Sequence, residues 1–519
     1  MRKFEKIQII KNVGSSWFSL GVNIVTGLFL SPFILHRLGD TAFGIWVLIF
    51  SLTGYYGLFD LGIRSSIVRY VSKYTATDDK EGLARLVNTS LFGYSCIGAI
   101  SLVVTALLVT YVDHIFRIPP DFYATARWLL IMVGISVALG FPLGIFGGFL
   151  EGIQRFDVMN WTNIVFTILR TVLVILFLDR GYGLLTVAFI TVLLPLITAI
   201  VRGVWAFKLV PVPLGTRYLD RETFRHMLNF GGATFIIMLA GRLKFRTDEM
   251  VIGTFVSAAA VTYFNVGARI TDYAREVVVS LSQIFMPMSS QSEAQGKMER
   301  LRKILVAGNR ACAFIVFPVC AVLLILGKSI IQVWMGKKYV VTSYPILVIM
   351  IIPMTLMLAQ SASGRVLMGV GKHKSWALIS LCEGLANLGL SIWLVHPYGI
   401  VGDAFGTAIP LTLSMTLYMP RYVCRTVGIR VRDYLREAYV LPALVAAPVV
   451  AILLLLRYWF VAQNYRQLGF QLLVAGLVYT AGMAWVYYNN QAFTLRKLVP
   501  VERPPKDKPV VASHLTEAS

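Results

Sequence analysis

The sequence has few charged residues, and few of those are acidic. Of its 519 residues only 14 % are charged, and 26 acidic residues stand against 48 basic ones, for a formal net charge of +22. Soluble domains contain about 25 % charged and about 45–50 % apolar residues, whereas this chain is 57 % hydrophobic. These values exclude a disordered protein, a disulfide scaffold and an ordinary soluble enzyme. They predict a chain that lies mostly in lipid.

Residues that bind metals, nucleotides or cofactors are also scarce. The five cysteines form no CxxC pair and lie in or beside apolar runs, as small core residues do. The six histidines show no HExxH spacing, and the segment 369–372 lacks the GxxxxGK[ST] pattern of a phosphate-binding loop. We therefore expect no metal, no cofactor, no ATP hydrolysis and no catalytic residue.

Long apolar runs dominate what is present. A bilayer core about 30 Å thick requires about 20 apolar residues per helix, which predicts an all-α integral membrane protein with about 14 transmembrane helices. The predicted spans are 13–36, 42–62, 86–112, 126–150, 158–178, 184–207, 229–252, 258–286, 306–326, 343–366, 375–395, 399–420, 440–460 and 469–489. The first is too long for the h-region of a signal peptide, so we expect it to be retained. Amphipathic connectors are predicted at 63–85 and 287–303.

The excess of basic residues predicts the orientation in the membrane. With a cytoplasmic N-terminus, 31 of the 48 Lys and Arg residues fall on cytoplasmic loops and tails, nine on outward loops and eight within spans. Cytoplasmic loops of membrane proteins carry such an excess. We therefore expect a multi-pass protein of the inner (cytoplasmic) membrane with both termini inside, surrounded by membrane lipid and bound to no nucleic acid.

An internal repeat with an offset of 217 residues relates two parts of the chain. The turn LEGIQRF around Gly152 corresponds to LMGVGKH around Gly369. Six spans per unit make the repeat parallel, which predicts two lobes related by an axis along the membrane normal, with a cleft between them. Chance similarity between apolar helices is the alternative. The predicted domains are an N-lobe (1–210), a cytoplasmic linker (211–228), a C-lobe (229–425), two extra helices (426–490) and a disordered tail (491–519).

One segment resembles a known family. Residues 38–74, LGDTAFGIWVLIFSLTGYYGLFDLGIRSSIVRYVSKY, contain an LGxxxFGxW turn and a DLG at Asp60–Gly62. They resemble the opening of bacterial polysaccharide or oligosaccharide flippases, which are O-antigen type members of the multidrug/oligosaccharidyl-lipid/polysaccharide exporter superfamily. The resemblance extends over nearly the whole chain.

This resemblance implies a function in the biosynthesis of surface polysaccharide. The implied substrate is a polyprenyl-(di)phosphate-linked oligosaccharide, flipped outward through a central cavity while the lipid tail stays outside. Two rocking lobes would give alternating access. A glycosyltransferase or a polymerase of the same pathway would be the implied partner.

Charged residues within the predicted spans are the candidates for substrate contact, because each costs about 2.5–3.5 kcal/mol to insert at the centre of a membrane helix. Arg binds phosphate oxygens with two donors and keeps its charge in a dry cavity. We therefore expect the arginines to hold the phosphates, acidic residues to orient the arginines, and polar residues of the fifth and eleventh spans to contact sugar hydroxyls. The candidate substrate-binding residues are Arg242, Arg246, Arg269, Asp272, Arg275, Glu249, Glu276, Arg170, Asn163 and Glu383.

The same charges also have a structural interpretation. Ion pairs between the seventh and eighth spans would hold the second lobe together. Lys244 and Asp248, four residues apart, are expected to pair with each other, as are Asp60 and Arg64. Polar residues such as Asn160 are expected to form interhelical hydrogen bonds.

Two other functions stay open. A multidrug or small-solute antiporter of the same superfamily would favour an acidic cavity for cationic drugs. A membrane glycan polymerase or ligase would need a larger part outside the membrane, and the longest outward junctions hold only about a dozen residues.

Overall fold

The computed structural model describes residues 3–489. Within that range the chain is almost entirely helical and contains no β-strand, which confirms the predicted all-α fold. The predicted disordered tail, 491–519, lies outside the described residues.

Seven helices form the first part of the chain. They are α1 (Lys3–Leu38), α2 (Asp40–Tyr56), α3 (Ile63–Ala76), α4 (Lys80–Ile115), α5 (Tyr123–Gly152), α6 (Phe156–Asp179) and α7 (Leu184–Leu209). The helix α3 occupies the connector predicted at 63–85.

Twelve helices form the remainder of the described chain. They are α8 (Arg221–Phe245), α9 (Asp248–Phe255), α10 (Ala258–Ser282), α11 (Phe285–Ala294), α12 (Met298–Trp334), α13 (Lys337–Ala359), α14 (Ser361–Gly369), α15 (Lys374–Leu413), α16 (Met419–Val427), α17 (Val431–Leu435), α18 (Leu441–Trp459) and α19 (Tyr465–Asn489). The helix α11 begins two residues before the connector predicted at 287–303 and overlaps its first half.

Eleven helical segments within residues 3–489 are long and apolar enough to cross a membrane, against fourteen predicted. Polar and charged side chains keep α8 and α10 out of this set. The helix α15 runs through two predicted spans, 375–395 and 399–420, with a kink at Gly399, where φ is 57°. Large apolar side chains such as Phe29, Trp393 and Tyr458 are mostly exposed on the bundle. In a membrane these side chains face lipid tails that are as apolar as they are.

Helix boundaries recur at the offset found in the sequence. The helix α5 ends at Gly152, and α14 ends 217 residues later at Gly369. In the turns that follow, Gln154 and Gly371 both have left-handed backbones, with φ of 59° and 69°. The same turn therefore occurs at corresponding places in the two parts.

The helix α8 begins earlier than predicted, at Arg221 instead of residue 229. Asp220 caps it, because its carboxylate accepts hydrogen bonds from the backbone N–H and the hydroxyl of Thr223, at 2.8 and 2.5 Å. These bonds hold the pKa of Asp220 below its usual value. The end of the predicted linker 211–228 is therefore helical.

The two parts of the chain meet where α2 begins. The carboxylate of Asp40 accepts hydrogen bonds from the hydroxyls of Tyr263 and Tyr339, at 3.0 and 2.5 Å, and pairs with Lys338. In addition to these contacts, one apolar cluster joins α1, α6 and α7 with α10, α12 and α13. The two parts of the chain are thus in direct contact at the Asp40 end.

The crossing of α2 and α10 is unusually tight. A Cβ atom built on Gly44 would lie 1.8 Å from the carbonyl oxygen of Ala258 and 3.0 Å from the hydroxyl of Thr262. Only glycine lets the two backbones approach this closely.

Candidate substrate cavity

A cavity of about 410 Å³ lies between the two parts of the chain. One wall comes from α1, α2, α6 and α7, and the other comes from α8, α9, α10 and the turn between α8 and α9. Both walls contribute arginines, and the single acidic residue is Glu249. The lining therefore carries three positive charges in excess. The charged lining residues are Arg170, Arg242, Arg246, Glu249 and Arg269.

Arg242 and Arg246 enter the cavity beside the C-terminal part of α2. A Cβ atom at Gly54 would lie 3.1 Å from Nη1 of Arg242 and 3.7 Å from Cγ of Arg246. Because α2 carries no side chain at this point, both arginines have room to lie against its backbone.

Arg170 and Arg269 approach the same space from α6 and α10. The guanidinium carbon of Arg269 lies 5.2 Å from the ring centre of Tyr273, within cation–π range. In Arg170 the buried Nε atom has no hydrogen-bond partner among the described residues. Among the side chains that the structure describes, no carboxylate lies at ion-pairing distance from Arg170, Arg242 or Arg269. These three guanidinium groups can accept an anionic ligand without breaking an ion pair.

Glu249 is buried at the edge of this basic lining. The residue is 7 % exposed, and its Oε1 atom lies 3.8 Å from Nη1 of Arg246. Its Oε2 atom has no hydrogen-bond partner in the described part of the chain. One carboxylate oxygen of this cavity-lining residue is therefore left without a hydrogen-bond donor.

The prediction of one continuous helix over 229–252 is wrong. The helix α8 ends at Phe245, and a new helix begins two residues after Arg246. At the break, the hydroxyl of Thr247 donates to the carbonyl oxygen of Leu243, at 2.8 Å, and lies 2.9 Å from the hydroxyl of Tyr55. Arg242 lies before the break, Arg246 lies in it and Glu249 lies after it, and all three line the cavity.

Five predicted site residues lie outside the cavity lining. Asp272 and Arg275 pair with each other at 2.9 Å, and Glu276 is exposed. Asn163 accepts a hydrogen bond from Arg202, at 2.7 Å, which joins α6 to α7.

Glu383 is the fifth predicted site residue outside the cavity lining, and it forms an ion pair with Lys244. It pairs with Lys244 in a contact whose side chains are 8 % and 4 % exposed, and it accepts a hydrogen bond from Ser414 at 2.6 Å. The predicted pair of Lys244 and Asp248 is therefore wrong. Asp248 lies beyond the helix break and accepts a hydrogen bond from Thr407 at 2.8 Å.

The prediction for Asn160 is confirmed. Its amide donates hydrogen bonds to the hydroxyls of Ser15 and Ser16, both at 2.9 Å, and so joins α6 to α1.

The predicted pair of Asp60 and Arg64 does not form. Asp60 accepts a hydrogen bond from the hydroxyl of Tyr94. Arg64 lies 3.4 Å from a carboxylate oxygen of Glu151 instead.

Comparison with known proteins places the chain in a family. The family described as "Polysaccharide biosynthesis protein" matches residues 9–293, more than half of the sequence. The chain belongs to this family. It is 21 % identical to a "Putative O-antigen transporter" of Shigella flexneri over 79 % of this chain and 97 % of the relative. It is 20 % identical to "Uncharacterized membrane protein EpsK" of Bacillus subtilis (strain 168) over 80 % of this chain and 83 % of the relative.

Solved structures share the fold of this polysaccharide biosynthesis protein. "Lipid II flippase MurJ, inward closed conformation" superposes with a TM-score of 0.72 at 17 % identity, covering 92 % of this chain and 99 % of that one. An inward-facing "multidrug resistance MATE family transporter of the MOP superfamily" gives a TM-score of 0.68 at 15 % identity, covering 78 % and 94 %. The chain is thus a multi-pass membrane protein with a transporter fold.

This family member also has a buried polar centre that the sequence analysis missed. Asp403 is fully buried, and neither carboxylate oxygen has a hydrogen-bond partner in the described chain. The nearby hydroxyl of Thr407 lies 2.8 Å from Asp248 and 3.2 Å from Asn387. Acceptors outnumber donors here, so a proton or a cation is needed to balance the centre. The sequence signal that could have identified Asp403 is the presence of an ionisable residue inside the predicted span 399–420.

Metal-binding clusters are not a feature of the described residues. Among residues 3–489 no group of three or more His, Cys, Asp or Glu side chains is arranged to hold a metal ion.

Proposed function

We propose that this protein flips a polyprenyl-(di)phosphate-linked oligosaccharide across the cytoplasmic membrane by alternating access. The observation that carries the proposal is the cavity with four arginines and one carboxylate. Arginine binds phosphate oxygens in a bidentate manner and stays charged in a dry site. The three arginines without a carboxylate partner would hold the (di)phosphate, while the lipid tail remains in the bilayer.

Relatives and structural neighbours support the same substrate class. The Shigella flexneri relative is named for O-antigen transport, and a second, of Haloferax volcanii, is named for a flippase of low-salt glycan biosynthesis. The neighbour that superposes with a TM-score of 0.72 is named a lipid II flippase. We propose that this chain functions in the biosynthesis of surface polysaccharide. Its proposed partner is a glycosyltransferase or polymerase of the same pathway.

We further propose fourteen membrane spans in two six-helix lobes followed by two helices. Adding the segments 221–255 and 258–282 to the eleven apolar spans, and dividing α15 at its kink, gives this number. The lobes would be 1–210 and 229–425, joined by the linker 211–228, with extra helices over 426–490 and a tail over 491–519. The recurrence of the left-handed turn after α5 and α14 supports the repeat. The distribution of Lys and Arg supports cytoplasmic termini.

A drug antiporter is the rival function, because a multidrug transporter structure shares the fold. At 15 % identity that likeness concerns the fold alone. Three positive charges in excess would repel cationic drugs from the cavity. Expression in drug-sensitive cells should therefore give no resistance to cationic drugs.

Flipping of a fluorescent undecaprenyl-diphosphate oligosaccharide in proteoliposomes tests the proposal. We expect Arg269→Gln and Arg242→Gln each to lower the initial rate about tenfold or more, because each loses a charge-assisted contact of about 1.5–3 kcal/mol with phosphate. Arg275→Gln removes a similar charge from the same helix as Arg269, but at a pair outside the cavity, and should keep most of the rate. Equal losses in the α10 variants Arg269→Gln and Arg275→Gln would reject the cavity as the phosphate site.

A further inference from the structure

We infer that the aromatic stripe of α2, formed by Phe43, Trp46 and Phe50, is together with Glu249 the subsite for the first sugar of the substrate. This inference rests on the proposed function, which places the phosphates at the arginines. It adds a binding region for the carbohydrate itself. All four residues line the cavity.

The stripe is a consequence of helical spacing. Residues three and four apart share a helix face, and Phe43, Trp46 and Phe50 follow that spacing along α2. The rings of Trp46 and Phe50 are stacked, with their centres 4.6 Å apart and their planes at 27°. The pair therefore forms a preorganised apolar surface. Sugar rings carry an apolar C–H face that stacks on such a surface.

The stripe also lies at a suitable distance from the phosphate site. Arg242 and Arg246 approach α2 at Gly54. With a rise of 1.5 Å per residue, Phe50 lies about 6 Å and Trp46 about 12 Å further along the helix axis. A sugar attached directly to a bound phosphate would therefore reach the ring stack.

Glu249 favours a ligand that donates a hydrogen bond beyond the phosphates. Its Oε2 atom is buried and has no partner among the described residues. A buried acceptor without a donor is unfavourable by about 1–3 kcal/mol, and a carboxylate repels phosphate. Sugar hydroxyls are neutral donors, so they match both the vacant acceptor and the apolar rings.

Binding to the full chain in detergent tests the subsite, with two probes: undecaprenyl diphosphate, and the same lipid carrying one N-acetylhexosamine. We expect the wild type to bind the glycosylated probe more tightly. Trp46→Ala should weaken binding of the glycosylated probe about fivefold to tenfold, as expected for one lost stacking contact, and leave the bare diphosphate unchanged. Glu249→Gln should reduce the same preference, and Trp46→Phe should restore most of it.

Two controls separate this inference from the proposed function. Arg242→Gln should weaken binding of both probes, and Trp128→Ala, on the exposed surface of α5, should change neither. If Trp46→Ala weakens both probes equally, or neither, the sugar subsite is wrong while the phosphate site stands. If the wild type binds neither probe, the proposed function fails and the subsite fails with it.

Discussion

Lys244 and Glu383 form a buried ion pair whose stability depends on both charges. Burying one of them alone costs about 3–5 kcal/mol, whereas replacing both by apolar residues is often neutral. We therefore expect Lys244→Met to lower the thermal unfolding temperature of the purified protein strongly. The double variant Lys244→Met/Glu383→Leu should recover most of the loss. Circular dichroism in detergent measures both.

An exposed pair provides the control for that experiment. Arg37 and Asp179 are 2.5 Å apart, with side chains 48 % and 66 % exposed. Exposed pairs contribute about 0–1 kcal/mol, so Arg37→Met should hardly change the unfolding temperature. A loss in Arg37→Met as large as in Lys244→Met would show that burial does not set the strength of these pairs.

The charges of the cavity show how far residue patterns can predict a site. A charged residue in an apolar span is costly wherever it lies, so Arg170, Arg242, Arg269 and Glu249 could be singled out without a structure. Which partner each charge meets depends on helices distant in sequence. The contact between Glu383 and Lys244 joins α15 to α8, and no local spacing predicts it.

At the scale of helices, Gly44 controls how closely α2 and α10 approach. A Cβ at this position would meet the carbonyl oxygen of Ala258 at 1.8 Å, which only a shift of one helix could relieve. Such overpacking costs about 1–3 kcal/mol. We expect Gly44→Ala to open the Asp40 end of the cavity and to raise the labelling of a cysteine at Ser51 by an impermeant maleimide added outside, in a cysteine-free background.

The matched control for Gly44 is Gly140, in the middle of α5. A Cβ at Gly140 would have no neighbour within 4 Å, so Gly140→Ala should leave the labelling unchanged. Unchanged labelling in Gly44→Ala as well would mean that this crossing does not close the cavity.

Helix length and hydropathy predicted most elements, but not where a helix breaks. The predicted span 258–286 begins where α10 begins, because Ser257 caps the helix and accepts a hydrogen bond from the N–H of Ala260. The break between α8 and α9 falls at Arg246–Thr247, without a glycine or a proline. A tertiary contact of Thr247 with Tyr55 accompanies this break, and a count of apolar residues carries no information on such contacts.

At the scale of the whole molecule, hydrogen bonds join the two parts of the chain at the Asp40 end, and the basic cavity lies between the two parts. Asp40 bonds to side chains of α10 and α13, and the backbone of Arg117 bonds to Gly253 and Ala258, at 2.9 and 3.2 Å. With cytoplasmic termini, this end faces outward. Alternating access requires that these bonds break each time the cavity opens on that side.

Cross-linking the two parts of the chain at the Asp40 end should therefore stop transport. We expect Asp40→Cys/Lys338→Cys, joined by a short bis-methanethiosulfonate reagent in a cysteine-free background, to lose flipping and to regain it when a reductant cleaves the two disulfides of the link. The control pair Arg37→Cys/Asp179→Cys joins α1 to α6 within the first part of the chain and should stay active when linked, because its ends move together. If the protein still transports when positions 40 and 338 are linked, transport does not require the two parts to separate at this end. The substrate would then have to cross by a route that leaves the Asp40 contacts intact.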